Sequence, residues 1–183
     1  MKRDLFALAA VAALVSGCAT NIHPTVTSNP PPTRALSTFS MFEIRPLTID
    51  DSVEEPEAVA KIRQVCGGKL DTLIASWNRG KGDTLVIEPR IRELKFVSGA
   101  NRVFAGAMAG SSAVRITAKL SDKSTGAVIA EPEFYQRAAA WSGSFTYGAQ
   151  DNDMLNRICI VAEDYLRRNY VQAVGGPTGS EAK

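Results

Sequence analysis

Histidine is almost missing from this chain: 183 residues hold one, His23. The commonest general acid–base group in enzymes is therefore confined to a stretch of prolines and threonines near the N-terminus. No serine has the flanking glycines of a nucleophile elbow. The stretch Gly106-Ala107-Met108-Ala109-Gly110-Ser111-Ser112 lacks the lysine of a phosphate loop and is one residue too short. Neither a catalytic constellation nor a metal or cofactor site is expected. Glu54, Glu55 and Glu57 precede an apolar helical stripe, where negative charge favours a helix N-terminus. An excess of one charge is also lacking. Lys and Arg number 21 against 19 Asp and Glu, a formal net charge of +2. A chain so nearly neutral gives no global reason to bind nucleic acid. Long apolar runs are absent too: Leu5 to Val15 falls well short of the roughly 20 residues that span a bilayer.

What the N-terminus does contain is a basic pair, Lys2 and Arg3, then that short apolar run, then Val15-Ser16-Gly17-Cys18. These are the parts of a secretory signal, with Asp4 as the one departure. Small residues directly before a cysteine, at this distance from the start, resemble the lipobox of bacterial lipoproteins. The resemblance implies a diacylglyceryl thioether on Cys18, cleavage before it, and acylation of the new amine. The alternative is an ordinary signal peptide that contains a cysteine. One acyl chain binds a membrane marginally, whereas two or more anchor stably. Ala19 is not the Asp that resembles an inner-membrane retention signal. The expected location is therefore the outer membrane, lipid-anchored, on the periplasmic side. Residues 1–17 are then the signal peptide.

Residues 18–36 read as a tether, because Asn29-Pro30-Pro31-Pro32-Thr33 favours an extended, semi-rigid backbone. Residues 37–172 are expected to form one domain and 173–183 a disordered tail. Within the domain, 37–49 read as a strand. Residues 53–78 carry the clearest helical stripe, with Val59, Ile62, Cys66, Leu70, Leu73 and Trp77 at a 3.6-residue period. Gly67-Gly68 interrupts it and either allows close approach to the sheet or marks a kink. Residues 83–97 alternate as a strand whose parity changes between Ile91 and Leu94, which predicts a bulge near Arg92-Glu93. Pro89 predicts an edge position for it.

Residues 98–111 read as a glycine-punctuated loop. Residues 112–121 alternate cleanly: Val114, Ile116, Ala118 and Leu120 inward, Arg115, Thr117 and Lys119 outward. Asp122 to Gly126 has hairpin-turn composition, and 127–141 return as a strand broken at Pro132. After a second loop at Trp141–Phe145, Asp151 or Asn152 is a candidate cap for a helix over 152–170, with Leu155, Ile158, Cys159, Ala162 and Leu166 on its apolar face. The order strand-helix-strand-strand-strand-helix gives an α+β fold: a mostly antiparallel sheet with two helices on one face.

Two cysteines remain beside Cys18. Cys66 and Cys159 lie mid-stripe on the two helices, and neighbouring helices on one sheet face could bring them together. In an oxidising compartment this suggests a disulfide; two separate buried thiols are the alternative.

The aspartate-led strand Asp83-Thr84-Leu85-Val86-Ile87, then Arg102 through Gly106 to Gly110, then the Asp122–Gly126 turn, resemble a family of small bacterial envelope lipoproteins of unknown function. The resemblance covers most of residues 60–170. It implies the fold and an envelope location and brings no catalytic residues; the Cys66 and Cys159 pair is a departure from it. A surface that invites a functional reading is the sheet face away from the helices. Arg90, Arg92, Arg115 and Lys119 are expected there, either as a solvated face or as a docking face for an acidic partner, peptidoglycan or lipid headgroups. The sequence thus reads as a non-enzymatic, lipid-anchored periplasmic domain that binds an envelope protein partner or supports an envelope assembly. The second reading is a carrier of a lipid or other hydrophobic ligand, which needs a cavity between helices and sheet.

Overall fold

The computed structural model describes residues 22–96, 111–138 and 149–180. Cys18 with the lipobox, the glycine-punctuated stretch around Arg102, and Trp141–Phe145 lie outside the described residues. In chain order the elements are β1 (Ser28–Asn29), a short 3-10 turn (Leu36–Thr38), β2 (Met41–Ile44), β3 (Thr48–Ile49), α1 (Pro56–Trp77), β4 (Thr84–Lys95), β5 (Ala113–Asp122), β6 (Val128–Ala130), β7 (Glu133–Arg137), α2 (Ala149–Val171) and β8 (Gly176–Pro177).

The fold is α+β. β4 and β5 form the antiparallel centre of the main sheet. β2 and β3 run parallel to β4 on its outer side, and β6 and β7 pair antiparallel with the far side of β5. β1 and β8 make a separate two-stranded ribbon. The inward side chains Leu85, Ile87, Ile91 and Leu94 of β4 meet Val114, Ile116, Ala118 and Leu120 of β5 in one core. Both helices close that core from the same side: Ile62, Leu70 and Leu73 of α1 and Leu155, Ile158 and Leu166 of α2 belong to it. The helical stripe is legible because a 3.6-residue period puts its apolar residues on one face. Pro56 takes the first helical position, where a missing N–H costs nothing.

The parity change in β4 is a bulge, with the register to β5 shifting between Ile91 and Glu93. The expectation from Pro89 needs correcting, since β4 is a central strand. The reason is local. Ile87 and Ile91 turn their carbonyls toward Arg45 and Asp50, so Pro89, between them, turns its nitrogen the same way. There it faces residues 45–47, after β2 has ended opposite Ile87 and before β3 begins opposite Arg90. The missing donor falls where the ladder is interrupted between β2 and β3.

The tether and tail expectations are corrected as well. From Thr25 onward the chain is docked. Thr25 donates to Glu133 through its N–H at 2.6 Å and its hydroxyl at 2.7 Å. The buried Asn29 bonds the main chain of Glu133 in both directions. Tyr165 Oη donates to the Pro30 carbonyl at 3.2 Å, and burial pushes the Tyr165 phenol up to about 12. Arg34 pairs with Asp122 at 2.7 Å and lies over the Phe39 ring. Leu36 is fully buried. At the other end, the buried Asn169 accepts from the N–H groups of Val174 and Gly175 and turns the chain back after α2. Gly175, at φ +73°, passes so close to Asn29 that a Cβ would sit 2.3 Å from the Asn29 carbonyl oxygen. β8 then pairs with β1, and Tyr135 of β7 donates its N–H to Thr178. Prolines and glycines here serve docked, extended backbone whose polar groups are met by side chains. The last helix begins at Ala149 rather than 152, so neither Asp151 nor Asn152 is its cap.

Candidate functional site

Between the two helices and the sheet lies a cavity of about 380 Å³. Its walls come from Ile62, Cys66 and Leu70 of α1, Ile87 of β4, Ile116, Ala118 and Leu120 of β5, Phe134 of β7, and Ile158, Ala162 and Leu166 of α2. The amino-acid pattern explains why this volume stays open. Each wall carries a small residue between large ones: Gly67 before Leu70, Ala118 between Ile116 and Leu120, Ala162 between Ile158 and Leu166. A Cβ added at Gly67 or Gly68 would meet nothing within 4 Å. The glycine pair therefore does not mediate the close approach that the sequence allowed. Volumes of 300–1,000 Å³ with mostly apolar walls are the size and character of small-molecule sites.

Cys66 and Cys159 are joined in a disulfide, with their Cα atoms 5.0 Å apart. The bond pins α1 to α2 at the cavity wall. Cys159 is fully buried. Helices fixed at this point cannot slide together to fill the space beside it.

The exposed members of the lining are Arg45, Pro46, Arg63 and Asp71. They mark the mouth, between the loop joining β2 to β3 and the outer flank of α1. Arg45 Nη1 pairs with Glu43 at 2.7 Å, and Lys123 Nζ holds the other oxygen of Glu43 at 2.7 Å. The hydrogen bond from Lys123, with help from Arg45, holds the Glu43 carboxyl below its ordinary range. Arg63 differs: its one bond among the described residues goes from Nη2 to the Leu47 carbonyl, at 3.3 Å.

The outward cations of the sheet fall on the other face, and each meets a carboxylate. Arg90 and Arg92 share Asp50. Arg115 is only 17% exposed and reaches Glu93 at 2.7 Å and Glu133 at 3.1 Å. Lys119 stands 4.0 Å from Glu88. Desolvation pushes the Glu133 carboxyl up, but the two bonds from Thr25 and the Arg115 guanidinium outweigh it, leaving the group below its ordinary value. The face is a lattice of alternating charges that neutralise one another. Sequence reasoning found these cations but not their partners, which lie on other strands or, for Asp50, just after β3. It missed Arg63, Gly67, Ala118 and Ala162 as a set. The available signal was a small residue at the centre of each apolar pattern.

The structure is thus an α+β domain with an apolar cavity under two cross-linked helices. No protein-family model matches the chain, and no curated protein does. Among solved structures it is similar to a PelC dodecamer subunit from Paraburkholderia phytofirmans, with 15% identity over 72% of this chain and 91% of that one and a TM-score of 0.37. It is also similar to a Xanthomonas campestris protein of the family DUF330, with 12% identity over 81% of this chain and 89% of that one and a TM-score of 0.41. A Caulobacter crescentus protein described as a lipoprotein gives 13% identity over 74% and 90%, with a TM-score of 0.33. Likeness of this size assigns the chain to no family.

Proposed function

We propose that this chain is a non-enzymatic, lipid-anchored domain of the bacterial envelope that carries an apolar ligand between its helices and sheet. The observation that carries the reading is the cavity of about 380 Å³, bounded by side chains of the core itself. The sequence reading put protein docking on the outer sheet face first. With each of its four cations beside a carboxylate, that face offers little free charge for an acidic partner, so the carrier reading takes precedence. The anchor is proposed on the lipobox at Cys18 and the outer membrane on Ala19. No described helix is long and apolar enough to cross a membrane. With Thr25 docked, the span from Cys18 to the domain is at most about 25 Å. The domain then works close to the membrane surface, where apolar ligands are found.

Two measurements test this. Phase partitioning with a detergent should send the wild type to the detergent phase and Cys18→Ser to the aqueous phase; an aqueous wild type removes the anchor. For the cavity, the neutral fluorophore N-phenyl-1-naphthylamine should bind with one-to-one stoichiometry, and Ala162→Leu should weaken it. Absence of saturable binding overturns the carrier reading.

A further inference from the structure

The cavity and its mouth differ in character, and together they describe an amphiphile. We infer that the ligand is a single-chain acyl anion, with its tail in the cavity and its carboxylate or phosphate at Arg63. This rests on the carrier reading above and adds the ligand class to it.

Volume selects the tail. About 380 Å³ lies at the small end of the roughly 300–1,000 Å³ typical of small-molecule sites, the size for one slender tail rather than a bulky group. One medium-length chain fills it; the paired tails of an ordinary phospholipid do not fit.

Charge selects the head. Arg63 is exposed at the mouth and uses one of its five donors, on the Leu47 carbonyl. Among the described residues no carboxylate pairs with it. A guanidinium in this state presents a planar fork that matches a carboxylate or phosphate in a two-point contact. Arg45, from the facing loop, adds a second positive charge, although Glu43 already holds it. Asp71 is the acidic member of the lining. It lies eight residues from Arg63 on the same helix, about 12 Å along the axis, so it bounds the far end of the mouth and leaves the Arg63 end to the anion. The Leu47 contact also places the fork beside the entrance, since Leu47 itself lines the cavity.

Two sources share this chemistry, a free fatty acid and a lysophospholipid. The test uses the full chain carrying Cys18→Ser, because detergents needed for a lipidated chain are single-chain amphiphiles themselves. Calorimetric titration compares dodecanoate, lauroyl lysophosphatidylglycerol, dodecanol and the two-chain dilauroyl phosphatidylglycerol. The expected result is that one or both single-chain anions bind more tightly than dodecanol, and the tighter of the two names the source. Arg63→Gln should weaken the anions about fivefold, the upper range for an ion pair still in contact with water, and leave dodecanol unchanged. Gly67→Leu, which places bulk at the mouth, should weaken all of them. Equal binding of dodecanol and the anions, unmoved by Arg63→Gln, overturns the anion assignment while the carrier reading stands. Tighter binding of the two-chain lipid than of its single-chain relative overturns the tail assignment. If neither dodecanol nor any anion binds, both readings fall together.

Discussion

Asn29 treats Glu133 as a neighbouring strand would. Its Nδ2 donates to the Glu133 carbonyl at 2.8 Å, and its Oδ1 accepts from the Glu133 N–H at 2.7 Å. One side chain thus satisfies both main-chain groups at the start of β7, and Thr25 adds two bonds to the Glu133 carboxylate. Asn29→Ala leaves two buried main-chain groups unmet, each worth about 1–3 kcal/mol. Urea unfolding should show a loss of about 2–6 kcal/mol, with faster hydrogen exchange over residues 25–33. Unchanged exchange there would show that the segment docks without this contact.

The disulfide closes a loop with a sequence separation of 93. Chain entropy predicts about 4–5 kcal/mol of stabilisation, an upper figure because residual structure in the unfolded chain reduces it. Non-reduced, exported protein should give a linked peptide pair containing Cys66 and Cys159 in mass spectrometry. The double variant Cys66→Ala with Cys159→Ala should unfold at lower urea concentration. Free thiols at both positions in exported protein would contradict the bond.

Gly68 is exposed on α1 with open space where a Cβ would stand. Gly68→Ala should therefore stabilise the domain by about 1 kcal/mol through helix propensity alone. A loss of stability in urea titration would mean that the glycine serves an approach the structure does not contain.

Glu133 links folding to pH. Its carboxyl lies below the ordinary 4.5 in the folded state, so the unfolded chain takes up the proton first as acid is added. The stability contributed by this group is fully present above about pH 4.5 and is lost as pH falls through the lower folded value. Urea midpoints measured down from neutral pH should fall in that acid window. Glu133→Gln should lower stability at neutral pH, because Arg115 and Thr25 lose their carboxylate, and should flatten the acid slope. An unaltered slope would assign the acid sensitivity to other carboxylates, Asp122 first, which Ser124 and Arg34 also hold low.

Periodicity was enough to find α1, β4 with its bulge, β5, the Asp122–Gly126 turn and α2, because each buries one face and writes that face into its own residues. The cysteine pair was legible for the same reason: both cysteines sit on apolar stripes that must face one sheet. What the sequence by itself determined is therefore local and one-sided, namely which residues turn inward and where the chain turns. The tertiary structure alone decided the rest. Pro89 signals a strand edge, but a gap between β2 and β3 on a different part of the chain supplies the edge inside the sheet. The proline-rich stretch from Thr25 and the tail from Val174 have no apolar period, and their docking depends on Asn29, Glu133, Tyr165 and Asn169 meeting across more than a hundred residues in most of these bonds. The outward cations appear as a basic patch until the register brings carboxylates beside them. The cavity is the furthest from view. It is a volume left over among Gly67, Ala118 and Ala162, which lie on three separate elements, and a void has no residue of its own. Only the superposition of two helices on a sheet, pinned at Cys66 and Cys159, puts three small residues around one space.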